Sequence, residues 1–336
     1  MHAVTETEVI EIPADQPRKI KVVRDLPDKL FRGVATSGGV TVLAVMLLIG
    51  AFLAIKATPA LDEAGVSFLT TQAWNTDAHQ FGIAAVIPGT IFIAAVAVCV
   101  AVPLSTATAL YITEYAPRRM KSILVGVIDL MAAIPSVVFG LWGFFFFQAQ
   151  VAPVSAWIAQ NFGWIPIFHV KDVGPDTPIS TYTIFTSSTL IAGFVVALMI
   201  TPVVTSIMRE VFSQVPIGER EGALGLGSTR WGVIRSVVLP FGRGGMIGGT
   251  MLGLGRALGE TIAVYMIISP VFTIQPHILQ SGAISVSSLI ALSFAEANSF
   301  GLSALMAAGL ALFLMTLLIN YLASLVVARS RSGASS

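Results

Sequence analysis

Near residue 256 an apolar stretch reads GLGRALGETIAV, Gly253 to Val264, with an Arg and a Glu in otherwise uncharged surroundings. On one continuous helix, Arg256 and Glu260 are four apart, share a face and can touch. A charge at the centre of a membrane helix costs roughly 2.5–3.5 kcal/mol on insertion scales, and such residues face a cavity or pair with each other. Two readings follow: a neutralised ion pair that locks helices together, or an anion site on a transport path. The order weighs against the pair, because Glu ahead of Arg is the favoured i,i+4 arrangement and here the Arg comes first. A planar guanidinium offers an oxyanion several donors in fixed geometry. A transport site must also release its cargo, and an adjacent carboxylate can hold the Arg in place while preventing tight trapping. Gly253, Gly255 and Gly259 remove side-chain bulk around the two charges. Thr90, Ser136 and Thr261 are hydroxyls inside apolar segments; they could line the same path or bond their own helix backbone. Asp129 is read as opening a span, where a carboxylate complements a helix N-terminus.

Other chemistries lack their residues. Cys99 is the sole cysteine, which excludes an intrachain disulfide and a CxxC site. His2, His79, His169 and His277 are scattered without ligand spacing and read as loop residues. No His, Asp or Cys cluster suggests a membrane-embedded enzyme. A phosphate-cradling loop needs Gly-Lys-Ser/Thr, yet none of Lys19, Lys21, Lys29, Lys56, Lys121 and Lys171 follows a glycine. Any ATP hydrolysis must therefore come from another chain.

The elements that must hold Arg256 are membrane helices. Of 336 residues, 55% are hydrophobic and only 11% charged, against about 25% charged in a soluble domain. Six segments are long and apolar enough to cross roughly 30 Å of hydrocarbon: Val34–Ile55, Gly82–Val102, Val125–Phe147, Ile184–Met208, Gly244–Ile268 and Leu302–Val327. Pro88, Pro135 and Pro202 lie within them, which membrane helices tolerate. The first run is too long and too far into the chain for a cleaved signal. A Ser-rich stretch, Ile284–Phe294, is too short to span and reads as interfacial or re-entrant. Basic residues cluster before segment one, after segments two and four, and after segment six, so the positive-inside rule puts both termini in the cytoplasm. That topology leaves only Lys56 and Lys171 on the outer side, and Arg256 within a span. The organisation is then a cytoplasmic tail over residues 1–33, a first helix with its external connection over 34–80, a transmembrane domain over 81–327, and a second tail over 328–336. Residues to about Asp28 read as poorly ordered. Gln148–Tyr182 reads as an external loop with Trp157 and Trp164 as interfacial anchors.

The cytoplasmic connection VPIGEREGALGLGSTRWGVIRSVVLP, Val215 to Pro240, is basic and rich in glycine. Glycine costs a helix about 1 kcal/mol per residue, so the stretch is either a flexible loop or a short helix stabilised by docking. It resembles the EAA loop of importer-type ABC permeases. Glu221 and Ala223 take the first and third places, Gly222 replaces the usual second Ala, and Gly227, Val237, Leu239 and Pro240 follow at the family's spacing. GRALGET, with FGIAAVIPGT from Phe81, AVPLSTATALYITEYAP from Ala101 and IDLMAAIPSVVFG from Ile128, resembles phosphate importer permeases. The long tail and the FLTTQAWN lead-in from Phe68 favour the PstC-type over the PstA-type subunit.

The resemblance implies an all-α, six-helix type I ABC importer permease. It implies Arg256 and Glu260 on the substrate pathway and Glu221, Ala223, Gly227, Leu239 and Pro240 as the coupling region; Thr90, Ser136 and Thr261 stay lining candidates on their hydroxyls alone. The implied partners are a PstA-type sister permease, an ATPase subunit dimer that holds ATP and Mg²⁺, an extracytoplasmic phosphate-binding protein and membrane lipid, with no nucleic acid. No cofactor is expected on this chain. Phosphate still carries a proton near neutral pH and sulfate does not, so Glu260 is expected to accept that proton's hydrogen bond and repel an anion lacking one. A permease for sulfate or molybdate, or a secondary transporter in which the EAA likeness is accidental, are the alternatives.

Overall fold

The computed structural model describes residues 26–170 and 183–331. Of the tail expected to be poorly ordered to about Asp28, residues 1–25 lie outside them, while Leu26 to Asp28 are helical; residues 171–182 of the external connection also lie outside. Twelve α-helices are described, with the single hairpin β1 (Trp74–Asn75) and β2 (Gln80–Phe81). They include six helical stretches long and apolar enough to span a membrane: Leu26–Leu69, Val86–Tyr115, Ser136–Phe162, Thr189–Ser213, Arg230–Gly259 and Ser299–Leu325. The chain falls into two units whose boundary lies within α1 (Leu26–Ala64), between Ile49 and Gly50. The described residues up to Ile49 are continuous helix, and the unit from Gly50 onward contains the core.

That core is built on two helices that approach closely because their facing positions are small. α2 (Val86–Leu110) offers Ala94, Ala97 and Ala101 to Ile191, Ala192, Val195 and Ile200 of α6 (Thr189–Ser213). A Cβ on Gly193 of α6 would meet Val96 at 2.6 Å, so only glycine permits this separation. Ser105 Oγ donates to the Thr201 carbonyl at 3.0 Å and adds a polar tie between the same helices. α2 outruns the expected Gly82–Val102 segment, passing Pro103 into a π-helical turn, Tyr111–Tyr115.

The third segment is corrected. Val125–Phe147 is not one helix: α3 (Arg118–Ala133) ends at Ile134, whose extended backbone precedes Pro135, and α4 (Ser136–Trp142) starts afresh. A residue before proline is pushed out of the helical region, which is why the break falls there. Asp129 therefore sits late in α3 and opens no span. The helix then runs through Gly143–Phe147 into α5 (Gln148–Phe162), so the first half of the expected external loop is helical and includes Trp157.

α7 (Ile217–Gly225) and α8 (Arg230–Val233) occupy the connection between α6 and α9 (Leu239–Gly259). The fifth segment is also corrected: α9 stops at Gly259, Glu260 is extended at ψ 122°, and α10 (Ile262–Ile267) begins after Thr261. The short Ser-rich stretch is α11 (Val286–Ser293), opened by a capping box of Ser285 and Ser288. α12 (Ser299–Arg331) completes the chain described.

Candidate functional site

α9 carries two bare faces. Gly242, Gly245, Gly249 and Gly253 recur every three or four residues, and a Cβ on any of them would meet side chains of α6: Phe212, Val211, Ile207 and Val204 respectively. These glycines let the two backbones close together. A Cβ on Gly244, Gly248, Gly255 or Gly259, the second set, would meet nothing within 4 Å among the described residues. Of the three glycines around the charges, Gly253 belongs to the face packed on α6, and Gly255 and Gly259 to the open one.

Arg256 stands on the open side. It is exposed and lines an open cleft of about 590 Å³ with Val203 of α6, Gly248, Met251, Leu252 and Gly255 of α9, and Asn320 of α12. Among the described residues its guanidinium makes no hydrogen bond or ion pair. It lies in the last turn of α9, where a cation complements the negative end of the helix dipole.

Glu260 does not pair with it. An i,i+4 contact needs unbroken helix, and the helix has ended one residue earlier. The half-buried Glu260 carboxylate instead accepts from the Ala263 N–H at 3.3 Å and caps α10. Its carbonyl accepts from Ser287 Oγ at 2.8 Å. Two charges expected to share a helical face are thus separately matched to helix ends, one cationic at a C-terminus and one anionic at an N-terminus.

The other lining candidates divide. Thr90 is buried, donates to the Val86 carbonyl at 2.9 Å and accepts from the Val286 N–H at 3.0 Å, so it fastens α11 to α2 and faces no open path here. Thr261 turns back to the Gly259 carbonyl at 3.1 Å. Ser136 is half-buried at the start of α4. None of the three borders the Arg256 cleft.

The connection region is helical. Gly227 has φ +86°, with the Ser228 N–H bonded to the Ala223 carbonyl at 3.1 Å and the Gly227 N–H to the Leu224 carbonyl at 2.9 Å. This is a Schellman stop, which explains a glycine four residues after Ala223. Glu221 is exposed, Ala223 and Leu239 pack against a cluster that includes Phe212, Val215 and Val238, and Pro240 lies in the first turn of α9. Ile217, Leu224, Leu226 and Trp231 stand 71%, 49%, 90% and 59% exposed, an apolar surface along α7, its end and α8.

Sequence reasoning passed over Glu114 and gave Arg220 no role beyond its charge. Arg220 Nη1 lies 3.2 Å from Glu114 Oε1, with both side chains largely buried. A carboxylate closing an otherwise uncharged span was the signal, since it needs a cationic partner.

A chain of six long apolar helices with a helical connection before the fifth has the architecture of a membrane permease. Residues 101–332 match the family described as binding-protein-dependent transport system inner membrane component, and the chain belongs to it. It is 38% identical to the phosphate transport system permease protein PstC 2 of Mycobacterium tuberculosis, over 87% of this chain and 89% of that one. It is 37% identical to the phosphate transport system permease protein PstC of Haemophilus influenzae (90% and 93%) and to that of Mesorhizobium japonicum (99% and 100%). A chain of the MetNI methionine ABC transporter in inward-facing form shares the fold at TM-score 0.51 and 12% identity, covering 74% of this chain and 97% of that one. The chain is thus a multi-pass membrane protein and a transporter component.

Proposed function

We propose that this chain is the PstC-type permease of an ATP-driven phosphate importer, lining the path jointly with a sister permease of PstA type. The observation that carries the reading is an unpaired guanidinium, Arg256, on the bare side of α9, inside a chain whose relatives are named for phosphate transport. A cation left without a partner at membrane depth is costly. A passing oxyanion provides the partner and departs.

The exposed apolar surface of α7 and α8 fits a groove on a separate ATPase subunit, where ATP and Mg²⁺ are bound. ATP-driven closure of an ATPase dimer moves α7, and an extracytoplasmic phosphate-binding protein delivers the ion. The distribution of basic residues supports cytoplasmic termini. Glu260 has a competing role: its bond to Ala263 makes it a helix cap first.

The test is ATP hydrolysis by the complex reconstituted in proteoliposomes with the loaded binding protein. Phosphate is expected to stimulate hydrolysis, and excess sulfate or molybdate to leave that stimulation intact. Equal stimulation by sulfate or molybdate would make this a permease for another oxyanion. Transport without any associated ATPase would make it a secondary transporter.

A further inference from the structure

Glu114 is a carboxylate at an unfavourable place. It lies in the π-helical turn Tyr111–Tyr115 that ends α2, at the negative end of the helix dipole, and its side chain is 12% exposed. Arg220 is also poorly placed on its own helix, in the positive N-terminal half of α7, and is 23% exposed. The two compensate each other. Arg220 Nη1 sits 3.2 Å from Glu114 Oε1 and 3.5 Å from Oε2, and Nη2 donates to the Phe212 carbonyl, in the last turn of α6, at 2.6 Å. One guanidinium thereby bridges the C-terminal ends of α2 and α6. Lys121 Nζ adds a second cation there, donating to the Thr113 carbonyl at 2.8 Å.

α7 has little else to grip with. It buries no residue fully, and a Cβ on Gly218, Gly222 or Gly225 would touch nothing. Its contact with the core is the half-buried Ala223. The chain links α7 directly to α6 and, through α8, to α9, and α6 packs along α2; Glu114 gives α7 its own direct contact with α2 beside that route. The pair is also incompletely bonded: Glu114 Oε1 lies in charge contact without hydrogen-bond alignment, and Arg220 Nε has no partner among the described residues. An under-satisfied buried ion pair adds little net stability, so fold stability alone does not account for it.

We infer that the Arg220–Glu114 pair is the linkage that passes movement of α7 to α2 and α6, with Arg220 a positioning residue for coupling. α6 in turn carries the packed glycine face of α9, and hence Arg256. The inference rests on α7 being the ATPase-docking helix proposed above.

The test uses the whole complex with C99S removing the one native cysteine and L252C reporting from the Arg256 cleft. Alkylation of the introduced thiol is followed with and without vanadate-trapped nucleotide, beside ATP hydrolysis and complex yield. Trapping is expected to change the alkylation rate at least about five-fold in this background. E114Q and R220K are expected to assemble and hydrolyse ATP while the change falls below about two-fold. Variants that keep the full nucleotide-driven change, or that both fail to assemble, overturn the inference, the second outcome making the pair a structural clamp. A background with no nucleotide response overturns it too. Phosphate uptake is measured in parallel on the parent complex without the cleft cysteine or alkylation: its absence with the nucleotide response intact sinks the phosphate reading alone.

Discussion

Arg256 gains nothing from Glu260, so its presence has to be explained from the cleft and from the end of α9. The dipole contribution at a helix C-terminus is about 0.3–1 kcal/mol, less than the roughly 2.5–3.5 kcal/mol cost of a charge at membrane depth, and the shortfall points to a transient ligand. Arg256→Ala is expected to leave assembly and basal ATP hydrolysis measurable while abolishing uptake in proteoliposomes; failure to assemble would return the residue to a structural role. Glu260 allows a cleaner separation. Its carboxylate caps α10, so Glu260→Ala should lose about 0.5–2 kcal/mol and lower the melting temperature in detergent. Glu260→Gln keeps an oxygen for the Ala263 N–H and should melt near the parent while discriminating less well between phosphate and sulfate. Unchanged selectivity in that variant would leave Glu260 a cap and nothing more. The residue types at this site were legible from the sequence, but their contact was not. Spacing of four implies contact only along continuous helix, and no proline announces the break after Gly259.

At the scale of the element, hydropathy located six spans and misjudged where several begin and end. A window of composition registers apolar length and is blind to backbone geometry. It therefore ran Val125–Phe147 across the Pro135 break and missed the helical continuation to Phe162, where polar residues dilute the signal. The glycines of α9 were visible as a group, but which of them face α6 depends on rotational register that composition does not carry. A contrast between them follows. Gly253→Val puts branched carbon atoms against Val204, where even a Cβ would lie 2.6 Å away, and overpacking of this kind costs about 1–3 kcal/mol. At Gly248 a Cβ meets nothing within 4 Å among the described residues, and Gly248→Val extends into the open cleft. Thermal unfolding of the purified subunit should drop for the first and hold for the second, with the second impairing uptake by filling the cleft. On the coupling surface, Leu226 is 90% exposed and packs on nothing that would hold it. Leu226→Asp should leave expression and melting unchanged and reduce co-purification of the ATPase.

Over the whole molecule, class and partners were more legible than geometry. The absence of a Gly-Lys-Ser/Thr loop and the arrangement of the Glu221–Pro240 region both pointed to a permease served by other chains, and the family match over residues 101–332 agrees with the class. The hairpin Trp74–Phe81 and the cavity of about 440 Å³ that it forms with Phe272, Glu296 and Gly301 escaped notice, because two-residue strands leave no periodicity to read.

The two non-helical residues between α9 and α10 separate what the long span can do from what surrounds its far end. Thr90, Ser285 and Ser287 tie α2, α11 and the Glu260 carbonyl into one stiff plate. α9 joins that plate through two residues outside the helical hydrogen-bond ladder, a joint at which the two halves of the span meet without sharing one axis.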